Sequence, residues 1–268
     1  VEARDFHWFI PTKLRISASD VVYDIPGIMA LIPLFSPETA MDEEGMALAT
    51  KVVDLLAKYD ISKPSFDTTF GWNWNPNSGA TTIDGAFGVD RFMRLDGRFE
   101  GTLPSFKSVS DLIPGGFETA DGEAINQVFG NALSLRLIEA DIVDEGGLDK
   151  GFALAVAIGK MMPVEPGQPD FFANQTPESL RQAAVALIYA GAEQGANAAQ
   201  LPALKGLLSP FGAFVDKGGK VRISYKPANP FDQRLAEDIR TGMVAAADLL
   251  KDVKVEHTPP AGGPVKPN

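Results

Sequence analysis

Phe66-Asp67-Thr68-Thr69-Phe70-Gly71-Trp72-Asn73-Trp74 reads with a period of two. Successive side chains of a strand point to opposite faces, so Phe66, Thr68, Phe70, Trp72 and Trp74 share one side. Asp67, Thr69, Gly71 and Asn73 share the other. The following Asn75-Pro76-Asn77-Ser78-Gly79 is turn chemistry: Asn and Ser bond their own backbone, Pro presets φ, and Gly accepts a left-handed conformation. The chain returns with Ile83, Phe87 and Val89 in phase and turns again over residues 88–91. Met93, Leu95, Phe99 and Leu103 then alternate with Arg94, Asp96, Arg98 and Glu100. The spacing predicts a three-stranded antiparallel meander over residues 66–103, with one apolar and one wet face.

Upstream, residues 4–16 read as strand. Leu14, Ile16 and Ala18 alternate with Lys13, Arg15 and Ser17, and Val21, Tyr23 and Ile25 continue in the opposite phase. That phase change predicts a bulge near Ser19-Asp20. Pro26-Gly27 ends the strand, and a short apolar helix is expected over 28–34. Met46, Ala49, Val52, Val53, Leu55, Leu56 and Tyr59 have helical spacing, with Asp42, Glu43 and Glu44 at the positive end of the dipole.

Downstream, Pro104 closes the meander, and short helices are expected over 106–112 and 122–129. Leu133, Leu135 and Leu137 begin a strand to about residue 142, and an acidic turn, Asp144-Glu145-Gly146-Gly147, leads to a helix over 148–162. Thr176-Pro177-Glu178 is a helix start, with a capping hydroxyl, proline at the first position and an acid in the first turn. That helix runs to about 194, and the next, over 201–215, is broken or kinked at Ser209-Pro210. Val221, Ile223 and Tyr225 form a final strand before a helix over 233–250. The tail from Glu256 is rich in Pro and Gly and is expected to be disordered.

Grouped rather than alternating elements predict an α+β fold: a curved antiparallel meander sheet with helices packed on one face. The chain divides into an N-terminal half (1–116), a helix-rich half with edge strands (117–255) and the tail (256–268). Arg15-Ile16-Ser17 leading to Pro26, and Arg222-Ile223-Ser224 leading to Pro227, suggest two related strand-plus-helix halves.

Composition narrows the function. Of 268 residues, 45% are hydrophobic and 22% charged, as in globular proteins. Against 24 basic residues stand 35 acidic ones, a net charge of −11. Such a surface repels phosphate backbones and anionic bilayers, so nucleic acid is not an expected partner. With no cysteine, disulfides and thiolate chemistry are excluded, and the lack suits an exported protein. No stretch approaches the roughly 20 apolar residues of a membrane span. The first residue is Val1 and a strand follows at once, so a natural N-terminal segment, with any export signal or anchor, is expected upstream.

Catalytic patterns are sparse. Two histidines exist, His7 in an aromatic stretch and His257 in the tail, and neither belongs to a nucleophile or zinc motif. Gly85-Ala86-Phe87-Gly88 follows a strand but lacks the Lys-Ser/Thr ending of a phosphate loop, and reads as turn glycines in a meander. Asp141, Asp144, Glu145 and Asp149 are oxygen donors of the type calcium takes, but their spacing is that of an ordinary solvated turn. No metal and no cofactor is expected. Asp84, Asp90 and Asp96 are candidates for carboxylate-dependent hydrolysis, with Trp72 and Trp74 as a sugar platform. The phase of both tryptophans with Phe66 and Phe70 favours a core or groove instead. Asn174-Gln175-Thr176 matches a glycosylation sequon and is better explained by the helix cap at Thr176.

The apolar face of the meander carries Phe66, Phe70, Trp72, Trp74, Ile83, Phe87, Val89, Met93, Leu95, Phe99 and Leu103. The simpler expectation is that helices such as 46–59 bury it. Alternatively, part stays open as a groove for an acyl chain or hydrophobic partner, lined by Phe66, Phe70, Trp72, Trp74, Phe87, Met93, Leu95 and Phe99.

Two stretches resemble a known type. One is Leu207 to Val215 followed by Gly218-Gly219-Lys220-Val221-Arg222-Ile223-Ser224-Tyr225-Lys226-Pro227-Ala228-Asn229-Pro230. The other is the glycine-punctuated meander between Gly79 and Gly101. Together they look like the YdgA-like and AsmA-like Gram-negative envelope proteins. That resemblance implies an N-terminally anchored protein exposing an elongated antiparallel sheet to the periplasm, with some relatives implicated in lipid movement or outer-membrane homeostasis. It carries no catalytic residues. The expectation is a non-enzymatic periplasmic protein whose sheet is a scaffold or a lipid-binding surface. Its partners would be a hydrophobic ligand or an envelope protein, and it would meet the membrane only through the missing anchor. The alternatives are a carboxylate hydrolase and a structural interaction module.

Overall fold

One antiparallel sheet runs through the computed structural model, which describes residues 1–7, 10–35, 43–111, 122–162, 164, 167 and 169–261. Its strands are β1 (Glu2–His7), β2 (Ile10–Val22), β3 (Ser65–Trp74), β4 (Ala80–Val89), β5 (Met93–Thr102), β6 (Ser134–Asp144), β7 (Lys220–Tyr225), β8 (Phe231–Asp232) and β9 (Val253–Thr258). The order is β1-β2-β3-β4-β5-β6-β7-β9, with β8 also pairing β6, and the sheet is not closed. Its helices are α1 (Ile25–Phe35), α2 (Glu43–Lys58), α3 (Phe106–Asp111), α4 (Gly122–Ala132), α5 (Gly147–Gly159), α6 (Pro177–Ala198), α7 (Ala203–Lys217), α8 (Gln233–Arg240) and α9 (Ala246–Leu249). The fold is α+β, as the grouping of elements predicted.

Register makes the two faces continuous across strands distant in sequence. Leu14 pairs with Trp72, Trp72 with Ile83, Ile83 with Phe99, Phe99 with Ile138, and Ile138 with Tyr225. One position along, Arg15, Gly71, Asp84, Arg98, Glu139 and Ser224 form the matching row on the wet side. A period of two therefore keeps apolar side chains together over six strands. The phase change in β2 is a register shift between Ala18 and Val21, and β6 meets β5 with a second shift at Glu100/Gly101. Because β5 pairs with β6, the expected halves share one sheet.

Several expectations are corrected. The N-terminal strand is two strands, β1 folding back on β2, since Glu2–His7 and Ile10–Val22 each satisfy the other's backbone groups. Helix α1 starts at Ile25, ahead of Pro26: proline suits a first turn, and Asp24 Oδ1 accepts from Gly27 N at 3.2 Å. Helix α7 is continuous through Pro210, so of the expected break or kink the break is absent. The helix expected over 233–250 divides into α8 and α9 with Gly242 at φ +76 between them. The tail is not disordered from Glu256: Val253, Val255 and His257 alternate with Lys254, Glu256 and Thr258, and β9 pairs along all of β7. The expected end of the first short helix, Leu112, and residues 262–268 lie outside the described residues.

The core gathers at one end of the sheet. Helix α7 packs against β7 and β9, α6 against α7, α5 against α6, and α2 touches α5. Among the described residues, the buried apolar side chains are Trp74, Val156, Val185, Ala192, Ala196, Phe214 and Val221. Val185, Ala192 and Ala196 repeat at helical spacing on α6. Thr176 caps that helix, accepting from Ser179 N at 3.1 Å. Helices α6 and α7 approach closely where Gly212 meets the Tyr189 ring, which a Cβ there would enter at 2.7 Å.

Candidate apolar-ligand site

Away from that end the apolar face is open. Phe70 is 37% exposed, Phe87 and Leu95 46%, and Ile138 41%, with Ile16 similar. All five project from the same side of neighbouring strands by register. Helix α2, expected to cover this face, touches α5, and these five side chains remain more than a third exposed.

The floor of the open face is built from glycine. Phe70 pairs with Gly85, Gly85 with Gly97, and Gly97 with Ala140. On either side run the bulkier rows Phe87–Leu95–Ile142 and Ile83–Phe99–Ile138. Two side-chain-free positions between two walls of large side chains make a shallow trough across the strands.

Where β3 ends there is a hollow of about 230 Å³, whose described lining is Ile10, Trp72, Trp74, Leu103, Pro104, Phe106, Val109 and Phe129. Trp74 is only 6% exposed. The indole Nε1 atoms of Trp72 and Trp74 are both buried and have no hydrogen-bond partner. The Phe106 ring also meets the His7 ring edge-on, centroids 4.5 Å apart. A second apolar hollow of about 310 Å³ opens between Phe99, Leu133, Leu135, Phe231 and Ala236. At the opposite end of β3, Phe66 stacks tilted on Phe87 and edge-on to Tyr23.

The structure thus places Phe66, Phe70, Trp72, Trp74, Phe87, Met93, Leu95 and Phe99 on one face. It divides them, however, with Phe70, Phe87 and Leu95 open, Trp72 and Trp74 in one hollow, and Phe99 in the other. Sequence reasoning missed the floor and the outer walls. Gly85 and Gly97 are gaps in the alternations Ile83-Gly85-Phe87 and Leu95-Gly97-Phe99, a signal that the turn reading of Gly85 passes over and that the alternation from Met93 to Leu103 leaves unused. Ile10, Val109 and Phe129 had no local signal, because tertiary folding alone brings them to the tryptophans.

The wet face is a lattice of ion pairs. Arg222 donates to Asp141 through Nε and Nη2, both at 2.7 Å, and Lys220 Nζ adds a contact at 2.8 Å. Arg222 first, then Lys220, hold the Asp141 carboxyl down from 3.8 to about 2. Asp96 raises the Arg94 pKa through a fork of bonds at 2.8–3.0 Å. On the apolar side, burial pushes the Tyr225 hydroxyl up, with Asp252 adding to it.

The acids proposed for catalysis are engaged by arginines or stand outside a hollow, although Asp84 and Asp96 share the wet face of neighbouring strands. Asp84 sits in register between Gly71 and Arg98, Asp96 is held by Arg94, and Asp90 bonds Arg91 at 3.1 Å. Only Asp90 enters the shallow polar hollow of about 290 Å³ beside Asp67, Arg94 and Glu145. Nor do the turn acids form a cation site. Asp141 faces Arg222, Asp144 Oδ1 accepts from Leu148 N at 3.0 Å, and Asp149 pairs with Arg181. Among the described residues no cluster of three His, Cys, Asp or Glu is placed to hold a metal. No described helix is long and apolar enough to cross a membrane.

Comparison with family models, curated proteins and solved structures finds no match to this chain.

Proposed function

We propose that this chain is a non-catalytic binding module of the Gram-negative cell envelope whose open sheet face takes acyl chains. The observation that carries the reading is the set of uncovered apolar side chains, Ile16, Phe70, Phe87, Leu95 and Ile138, around the Gly85–Gly97 floor. Soluble monomers rarely leave contiguous apolar surface of this kind without a use for it. A bound chain gains about 0.8 kcal/mol for each methylene it buries, so ten methylenes offer about 8 kcal/mol before the cost of association. The periplasmic placement is supported by the resemblance to YdgA-like and AsmA-like proteins and by the absence of cysteine. A hydrolytic role finds less support, because Asp96 is tied to Arg94 and Asp90 to Arg91, and Asp84 and Asp96 lie on the wet face outside the shallow polar hollow that Asp90 lines.

Detergent-free purification followed by solvent extraction and native mass spectrometry tests the proposal. Lipid carried in fixed proportion to protein supports it. A lipid-free preparation that also ignores a hydrophobic dye would overturn it.

A further inference from the structure

We propose that the outer edge of β9 docks a second copy of this chain, the two β9 strands pairing antiparallel about Val255 so that two sheets become one. This goes beyond the acyl-binding reading and does not depend on it.

The sheet ends at β1 and β9, and the two edges are built differently. β1 holds Asp5 at φ +54, a left-handed residue that breaks the regular spacing of its outward backbone groups. β9 carries no such residue, and it follows β7 without a register shift from Val253 to Thr258.

Parity tells which backbone groups face outward. Lys226 N donates to Asp252 O at 3.2 Å, so Tyr225 and Val253 are a non-hydrogen-bonded pair. The bonds to β7 therefore come from Lys254, Glu256 and Thr258. The N–H and C=O groups of Val253, Val255 and His257 point away from β7, and none of them has another partner among the described residues. A row of this kind is a template for a further strand.

Charge selects the occupant and the register. Lys254 continues the wet row of Glu139 and Ser224, and Glu256 continues that of Asp141 and Arg222. Both are exposed, and neither is in an ion pair among the described residues. Glu256 lies in the field of Arg222, but that guanidinium is bonded to Asp141. A two-fold axis at Val255 sets Lys254 of each copy opposite Glu256 of the other, in the close, non-hydrogen-bonded positions. On the apolar side it sets Val255 against Val255 and Val253 against His257, as the pairs that exchange backbone bonds. An axis at His257 would place Val255 opposite Pro259, which has no N–H, and one at Val253 would run off the start of the strand.

So short a seam buries less than the roughly 1,200 Å² of a standard interface, and dissociation is expected on the order of 100 µM. Sedimentation equilibrium of the whole chain between about 10 µM and about 1 mM tests it, in about 0.15 M salt to screen the net charge of −11. The same measurement follows Lys254→Glu, Glu256→Lys and their equimolar mixture, with thermal unfolding to check that each variant folds. Each single variant sets like charges opposite each other at both pairs, so its dimer is expected to weaken at least about tenfold. The mixture opposes two acids with two lysines and is expected to regain the wild-type affinity, as a heterodimer seen by native mass spectrometry. A wild-type chain that stays monomeric throughout overturns the proposal. So do single variants that dimerise as the wild type does, or a mixture that gains nothing over its separate parts.

Discussion

Gly85 on β4 and Gly97 on β5 face each other as direct partners, with Phe70 and Ala140 the next residues outward in the same row. Neither is forced into glycine by crowding. A Cβ at Gly97 would come no closer than 3.9 Å to the Glu139 carbonyl, and one at Gly85 would lie 3.4 Å from that of Thr69. Stability alone would favour a β-branched residue at both, since glycine weakens a strand interior by roughly 0.5–1 kcal/mol. Emptiness at this spot thus fits a need for the space.

The substitution Gly97→Val follows directly. The melting temperature is expected to hold or rise by a few degrees, while affinity for a lauroyl ligand falls about tenfold. Thermal unfolding and a ligand titration on the same sample read both. Unchanged affinity in a stable variant would place the ligand elsewhere.

Core and open face should respond differently to truncation. Phe87→Ser and Leu95→Ser touch half-exposed side chains and are expected to cost about 1 kcal/mol or less. Phe214→Ala empties a buried site in α7 and is expected to cost about 3–5 kcal/mol. Urea denaturation measures the contrast. A large loss in the first pair would mean that the face is covered after all.

The hairpin beside the tryptophan hollow depends on Gly79. It sits at φ +73, its N–H donates to Asn75 O at 2.8 Å, and a Cβ there would lie 2.0 Å from the Leu103 carbonyl. Gly79→Ala must move backbone, so a loss of about 2 kcal/mol or more is expected in the same denaturation experiment.

Acid should release the Asp141 pair. Its carboxyl is held at about 2 rather than 3.8, so the stabilisation is complete above about pH 4 and is lost as pH falls through that interval. Arg222 and Lys220 are themselves partly exposed, which limits the effect to about 1 kcal/mol. Asp141→Asn is expected to remove that increment at pH 7 and to flatten the decline between pH 4 and pH 2, measured by urea midpoints across the range.

The meander was legible because alternation in residues 66–103 is long, and side-chain direction in a strand follows from sequence parity alone. The same parity placed all eight proposed ligand-facing residues on one side. What covers a face is a different kind of fact. Whether α2 meets the sheet or α5 depends on competition between apolar surfaces far apart in the chain, which no window of sequence contains. β9 escaped notice for a related reason: six residues with three apolar positions are too few to read without β7 beside them. The charges of the wet face were readable as such, but not the union of Asp141 with Arg222, 81 residues away.

The absence of cysteine permits the most direct test of the open face. Phe87→Cys carries a solvatochromic label in the trough, and Leu187→Cys, 73% exposed on α6, carries the reference label. Glycerol monolaurate below its micellar concentration is expected to shift emission to the blue at position 87 and leave position 187 unmoved. Labels that both stay unmoved, or that shift alike, would contradict acyl binding on the open face of the sheet.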